Sequence, residues 1–476
     1  MTTSQELRDL LAPAGQEHVL AFWDRLNHTE QESLARQIRA IDWSCVPAWI
    51  ERYVTTKPDF ALPAGVEPAS HYGRDGSRGD GAWDIDAMRE AGEALLRSGK
   101  VACFTVAGGQ GSRLGYEGPK GCYPAGAVTR RTLFQMFADS ILAAQERFGR
   151  VVPWYIMTSP LNHDATKSYF STHDYLGLEA GNVQFFMQGT MPSFDVSTGR
   201  VLLSNPHTIA TNPDGHGGSL KALVVSGAID DLRRRGIEHI SYFHVDNPIV
   251  KPIDPVFLGL HALAQDSSGE MSSKMIPKAY AEEKLGMFCS VDGQTRVIEY
   301  SDLPMERQRE TDENGTLRFL AGSIGIHTLG VDFVARVGGD PNFALPFHRA
   351  DKKIPHVNTD TGEAVEPAEP NGVKLEQFVF DALELAKGSI VYETDRVEEF
   401  APIKNAEGVD SPASSAQIQT QRAARWLGEI GVDVPTTAEG EPDCVIELSP
   451  RTAMTPDDLR TADVPDPIEP GSRIAL

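Results

Sequence analysis

The sequence predicts an α/β fold, with a mixed, mostly parallel central sheet covered by helices. A helical region precedes the sheet and a small α+β domain follows it. Three observations carry this expectation. Apolar runs of strand length alternate with amphipathic helical stretches through the middle of the chain. The apolar run "VACFTV" breaks directly onto glycines, as a buried strand does where it leaves a sheet. At 476 residues the chain exceeds what one hydrophobic core usually serves, so two or three domains are expected.

In chain order, Leu7, Leu10 and Leu11, then Val19, Phe22, Trp23 and Leu26, recur at helical spacing. "TEQE", Thr29 to Glu32, predicts a capping box that opens a helix continuing through Leu34, Ile38 and Ile41. The Pro- and Gly-rich stretch "LPAGVEPASHYGRDGSRGDGAWD" has no apolar period and predicts an irregular connection, which sets a helical N-terminal region at 1–84. An amphipathic helix from Ile85 to Leu96, closed by Gly99, opens the central domain. Strands are then expected at "VACFTVAGG", "VVPWYIMTS", "VQFFMQG", "HISYFHVDNPIV", "RVIEYSDL" and "AGSIGIHTLG". Between them, "TLFQMFADSILAAQERFG", "SLKALVVSGAIDDLRRRG" and "KLEQFVFDALELAKG" have helical periods. The central domain is expected to span 85–402. A third, small domain at 403–476 would be made from a helix at "QTQRAARWLGEIG" and the extended pieces "CVIEL" and "SRIAL".

Composition narrows the function. With 44 Lys and Arg against 67 Asp and Glu, the formal net charge of -23 repels nucleic acids and anionic membranes, so an anionic ligand needs a concentrated cationic pocket. Five dispersed cysteines without C-x-x-C spacing support neither a disulfide framework nor a zinc knuckle, and point to a reducing cytoplasm. The first residues carry acids where a signal peptide has a basic segment, and no apolar run of about 18 residues occurs.

The chemistry concentrates in a few blocks. A strand, a glycine turn and a helix expose backbone N–H groups to phosphate oxygens, although "AGGQG" by itself reads as a plain turn just as readily. Neither G-x-x-x-x-G-K-[ST] nor G-x-G-x-x-G is present. Arg113 and Lys120 follow, fixed beside glycines and Pro119, and two such cations suit a triphosphate and a departing pyrophosphate. Gln188 ends a strand with an amide that offers both a donor and an acceptor, which suits an imide edge such as uracil's. "PDGHGG" is a second glycine turn entering a helix. Asp246, after the strand "HISYFHVDN", occupies the crevice position of an open α/β sheet, and Mg²⁺ needs only one or two carboxylates besides phosphate oxygens. His244 reads as a packed histidine, Phe378 and Phe380 as helix core, and Lys404 as a cation delivered from far along the chain.

"AGGQGSRLGYEGPKGCYP" resembles the nucleotide-binding signature of the eukaryote-type UDP-sugar pyrophosphorylases, and within them the UDP-N-acetylhexosamine pyrophosphorylases. The likeness runs in order through "FFMQGTMPSFD", "NPDGHGGSLKAL", "FHVDNPIVKPIDP", "VIEYSDLP", "KKIPHV", "PNGVKLEQFVFD" and "EFAPIKNA", from about Val101 to Ala406. It implies a Rossmann-like nucleotidyltransferase domain that converts UTP and a sugar 1-phosphate to UDP-sugar and pyrophosphate. By the same resemblance Ala107, Gly108, Gly109, Gln188 and Gly215 contact the nucleotide. His216, Glu299, Ser323 and Phe380 lie on the sugar side, Asp246 holds Mg²⁺, and Arg113, Lys120 and Lys404 are catalytic. His216 and Ser323 stand where the acetylhexosamine pattern has asparagines, and the "GHG" form occurs in the UDP-glucose branch. The expected sugar is N-acetylglucosamine 1-phosphate, with a UDP-glucose or broad-specificity pyrophosphorylase as the alternative. A non-catalytic UDP-sugar sensor is the alternative of another class, and it would need no leaving-group site.

Overall fold

The computed structural model describes residues 3–57, 61–79, 81–340 and 345–476. They form two compact units, one from 1–61, 188–219 and 344–381, the other from 62–187, 220–343 and 382–476. Both are discontinuous in sequence, unlike the contiguous division at 84/85 and 402/403 expected above. The reason is the burial of apolar faces. Leu7, Leu11, Leu34 and Ile38 of the N-terminal helices share a core with Phe194, Leu203, Val373 and Leu375, which lie far along the chain.

The larger unit holds helix α1 (Ile85–Arg97), strand β1 (Val101–Val106), α2 (Leu133–Phe148), β2 (Trp154–Thr158), β3 (Val183–Met187) and β4 (His239–His244). It continues with α3 (Pro255–Leu263), β5 (Met271–Pro277), β6 (Met287–Val291), β7 (Gln294–Ile298), β8 (Ala321–Gly330), β9 (Val391–Glu393) and α4 (Pro412–Glu429). Four strands run parallel in the order β3-β2-β1-β4. β8 adds antiparallel to β4, and β5 and β6 add antiparallel to β8, so the sheet is mixed. β1 buries Val101, Ala102, Cys103 and Phe104 almost completely, as a central strand covered on both faces must. α2 starts where the Thr132 hydroxyl accepts from Gln135 N–H and ends at Gly149 with φ +65°. It covers the sheet with Phe134, Phe137 and Ile141.

α1 and α3 meet through glycine. A Cβ on Gly92 would lie 1.8 Å from Pro255 O, and one on Gly259 would lie 1.8 Å from Met88 O. The last residues add a parallel pair, Val445–Glu447 with Arg473–Ala475, next to α4.

The smaller unit carries a three-stranded antiparallel sheet, Phe347–Lys352, Gly372–Gln377 and Phe194–Asp195. Gly372–Gln377 corrects the helix expected at "KLEQFVFDALELAKG". Val373 and Leu375 point inward while Lys374 and Glu376 are half-exposed, a period of two that a strand satisfies. A 3₁₀ segment, Val379–Leu385, follows. The capping box that opens the helix His28–Ala40 is Asn27 with Glu30, not Thr29 with Glu32: Asn27 Oδ1 accepts from Glu30 N–H at 3.0 Å and the Glu30 carboxylate accepts from Asn27 N–H at 2.9 Å. Asparagine outranks threonine at this position. The helix expected at "SLKALVVSGAIDDLRRRG" is two, Ser219–Val225 and Ala228–Arg234, broken at Gly227 with φ +78°.

Because the α1–α3 contact leaves no room for a methyl group, Gly259→Ala is expected to lower stability by about 1–3 kcal/mol, read as a lower urea midpoint.

Candidate active site

β1 lies between β2 and β4, so the chain leaves β1 toward one neighbour and returns on the other side. Crevices form at such switch points, outside the carboxyl ends of parallel strands. Val106 pairs with His244, and Val245 N–H donates to Val106 O at 3.1 Å, so Ala107 and Asp246 leave the sheet side by side.

The glycine turn is braced from beneath. Asn162, 1% exposed, donates from Nδ2 to Ala107 O at 2.9 Å and to Gly109 O at 3.1 Å. Lys120 N–H donates to Gly109 O at 3.1 Å, and Gly111 N–H to Gly118 O at 3.0 Å, closing the loop that carries Arg113. The glycines serve different ends. A Cβ on Gly121 would fall 2.1 Å from the Phe134 ring and one on Gly111 would fall 2.7 Å from Tyr116. A Cβ on Gly109 meets nothing within 4 Å, and no left-handed φ requires glycine there. Gly109 therefore leaves bare backbone facing open space.

Into that space the larger unit brings its charges. Asp246 O accepts from Ile403 N–H at 2.8 Å, which sets Lys404 beside it. The Lys404 ammonium lies 3.7 Å from Asp410 and 5.5 Å from the Phe400 ring centre. Burial pushes the Lys120 ammonium below the ordinary lysine range; Asp246 raises it, and Lys404 and Arg113 lower it further. Burial alone would raise Asp246, but Lys404, Lys120 and His244 outweigh it and hold the carboxyl below the usual range. Arg113, Lys120, Asp246 and Lys404 therefore form one electrostatic cluster. His244 is packed: Tyr242 Oη lies 3.2 Å from its Nε2, and a Cβ on Gly325 would lie 3.0 Å from its ring. Burial lowers its pKa.

Among the described residues no group of three or more His, Cys, Asp or Glu side chains is placed to hold a metal ion. Asp246, a buried carboxylate set among cations, one of which is paired with Asp410, does not suit a resident ion. Its chemistry fits Mg²⁺ that would arrive on phosphate oxygens, with Asp246 as the carboxylate that would hold it.

Glu299, just past β7, and Ser323, on β8, converge on Gly286. Ser323 N–H donates to Gly286 O at 2.7 Å, and a Cβ on Gly286 would lie 3.2 Å from Glu299 Oε1.

Within the smaller unit, Gln188 is 7% exposed. The Asp214 carboxylate fits between Gly189 and Gly218, where added Cβ atoms would strike it at 2.3 and 2.2 Å. Gly215, with φ +86°, passes so close to Gln377 that a Cβ would lie 2.3 Å from its carbonyl oxygen. His216 Nδ1 accepts from Val379 N–H at 3.1 Å, so in the neutral ring Nε2 carries the proton. The His216 ring stacks on Phe378, centroids 5.1 Å apart and 8° from parallel, with Phe380 at 5.9 Å. His348, whose Nε2 lies 2.8 Å from Asp381 Oδ2, stacks on Phe378 at 4.1 Å. Phe378 and Phe380 are thus a half-buried ring stack and not helix core. His348 and Asn162 carried no sequence signal, since each acts on a block remote from its own.

The pattern that defines the UTP–glucose-1-phosphate uridylyltransferase family matches residues 81–416. The chain belongs to this family. UDP-N-acetylhexosamine pyrophosphorylase-like protein 1 of Xenopus tropicalis is 34% identical over 463 residues, which cover 92% of this chain and 89% of that protein. UDP-N-acetylglucosamine pyrophosphorylase of Saccharomyces cerevisiae is 34% identical over 446 residues, 90% of this chain and 92% of the yeast protein. The crystal structure of the uridine diphosphate N-acetylglucosamine pyrophosphorylase from Trypanosoma brucei, in complex with an inhibitor, superposes with a TM-score of 0.80 at 25% identity. It covers 97% of this chain and 94% of that one. The family therefore spans the glycine turn, Asp246 and Lys404.

Asp246 is the group that raises Lys120, so in Asp246→Asn the Lys120 ammonium is expected to titrate at lower pH than in the parent. The pH dependence of Lys120 acylation, followed by mass spectrometry, measures this. An unchanged or raised titration would contradict the cluster.

Proposed function

We propose that the protein is a uridylyltransferase that converts UTP and N-acetylglucosamine 1-phosphate, reversibly, to UDP-N-acetylglucosamine and pyrophosphate. One observation carries the reading: Asp246 stands among Lys120, Lys404 and Arg113 beside the open face of Gly109, at the switch point of a parallel sheet. Such a set binds and neutralises phosphates and contains no nucleophile with a base.

None is needed. A phosphate oxygen of the sugar 1-phosphate, already anionic, attacks the α-phosphorus of UTP in line. A new P–O bond forms as the bond to the β-phosphate oxygen breaks, and pyrophosphate leaves with that electron pair. In this reading Arg113 and Lys120 hold the departing pyrophosphate, and Lys404 offsets the charge that builds on the transferring group. The backbone of Ala107, Gly108 and Gly109 borders the phosphates. Gln188 selects uracil through paired donor and acceptor, with Gly215 against the nucleotide. Glu299, Ser323, His216 and Phe380 meet the sugar. Asp246 would hold Mg²⁺ carried in on the phosphates, and the bound ion would supply further neutralisation of phosphate charge.

A second reading, with glucose 1-phosphate as substrate, draws on His216 and Ser323, which replace the asparagines of the acetylhexosamine pattern. The names of the relatives favour the acetylated sugar. We place the enzyme in the cytoplasm, which suits its five free cysteines. Among the described residues no helix is long and apolar enough to cross a membrane.

Pyrophosphate release from UTP, measured with a panel of sugar 1-phosphates with and without Mg²⁺, tests the reading. Release is expected with N-acetylglucosamine 1-phosphate and lost on chelation, and Lys120→Ala is expected to cut turnover at least about 100-fold with the fold intact. Silence on every sugar would favour a UDP-sugar sensor, and near-normal turnover of the lysine variant would sink the mechanism. In the double variant His216→Asn, Ser323→Asn, the kcat/KM ratio of N-acetylglucosamine 1-phosphate to glucose 1-phosphate is expected to rise. A ratio that does not move would remove both residues from sugar selection.

A further inference from the structure

We propose that the buried ion cluster of Lys274, Glu399 and Asp254 is the positioning element for Lys404, setting where that cation stands relative to Asp246. The inference rests on the reading of Lys404 as the cation that offsets phosphate charge.

Lys404 is half-exposed, and its ammonium meets Asp410 in a 3.7 Å ion pair and the Phe400 ring at 5.5 Å, so its tip is loosely held. Its root is not. Lys274, on β5 and 0% exposed, places Nζ 2.7 Å from both Glu399 carboxylate oxygens and 2.6 Å from Asp254 Oδ2. Glu399 also accepts from Thr394 Oγ1 at 2.9 Å and from Lys251 N–H at 3.3 Å. Asp254 uses its other oxygen to cap α3, accepting from Val256 N–H at 3.0 Å.

From Glu399 a short relay reaches the site. Asn247, adjacent to Asp246, donates from Nδ2 to Glu399 O at 2.6 Å and accepts at Oδ1 from Ala401 N–H at 3.1 Å. Ser415 Oγ donates to Ala401 O at 2.7 Å, and Ile403 N–H donates to Asp246 O at 2.8 Å. Every second residue from 399 to 403 is therefore tied either to the ion cluster or to the residues at and after Asp246, and Lys404 is next.

Stability alone does not call for this design, because a buried ion pair is often no better than apolar residues of the same volume. A bidentate carboxylate differs from an apolar contact in being directional. It sets the rotation and register of the segment that bears it.

A double-mutant cycle with Lys404→Ala tests the relay in the full-length enzyme, with turnover of UTP and N-acetylglucosamine 1-phosphate as readout. Glu399→Gln is expected to lower kcat about 100-fold in the parent, with KM for UTP changed by less than about threefold. In the Lys404→Ala background it is expected to lower kcat by less than about twofold, because the group it positions is already gone. An equal loss in both backgrounds, or no loss in the parent, overturns the inference. Where Glu399→Gln does not fold, Lys274→Met with Glu399→Met takes its place in the cycle. Hydrogen exchange at the Ala401 and Ile403 amides reads the same anchoring without turnover. Faster exchange confined to 399–404 in the variant supports the relay even if the parent shows no turnover, which would overturn the uridylyltransferase reading alone. Unchanged exchange overturns the relay.

Discussion

The parallel pairing of β1 with β4, Val106 opposite His244, is the constraint on which the rest of the larger unit depends. Two strands that run the same way in register end at the same edge. There the glycine turn and Asp246 leave the sheet together, at the point where strand order reverses. A slip of one residue would turn every side chain of a strand to the opposite face, and both faces here are buried. The apolar filling of β1 and β4 therefore also specifies where the carboxylate stands.

Gathering Arg113, Lys120 and Lys404 around Asp246, with Asp410 beside Lys404, concentrates like charge in an unliganded protein. Asp246 offsets part of that, and the partial burial of Lys120 makes its charge more costly and its attraction to phosphate stronger. The whole chain, at -23, gives no long-range pull on an anion. Affinity for phosphates must come from this small region. In the proposed reading two devices outside the charge cluster sustain it: Asn162 beneath the glycine turn, and the Lys274 cluster behind Lys404.

Much of this was legible in the chain, for local reasons. Buried parallel strands read as continuous apolar runs, and the strand expected at "VACFTVAGG" is Val101–Val106. The glycine turn, Arg113, Lys120 and Asp246 stood out because their chemistry lies in contiguous words. Other features were hidden. "VKLEQFVF" satisfies a helical period as well as a strand period, and only pairing with Phe347–Lys352 decides for the strand. His348 stacks on Phe378 from another strand, so no spacing announces it. Nothing local in "MSSKMIP" marks Lys274 for burial. It is buried because β8 and β9 enclose β5 and because Glu399 arrives from 125 positions away to pair with it.

From the sequence alone come the α/β class, the strand and helix content of the middle of the chain, and the residue types able to handle phosphates. These depend on backbone preference, period and side-chain chemistry, all of which act within a few residues. The tertiary structure alone decides that Lys120, Asp246 and Lys404 share one field, that the N-terminal helices belong with 188–219 and 344–381, and that Phe378 lies between two histidines. Electrostatic coupling and apolar burial depend on distance in space, and that distance is set by which strands pair and which faces meet.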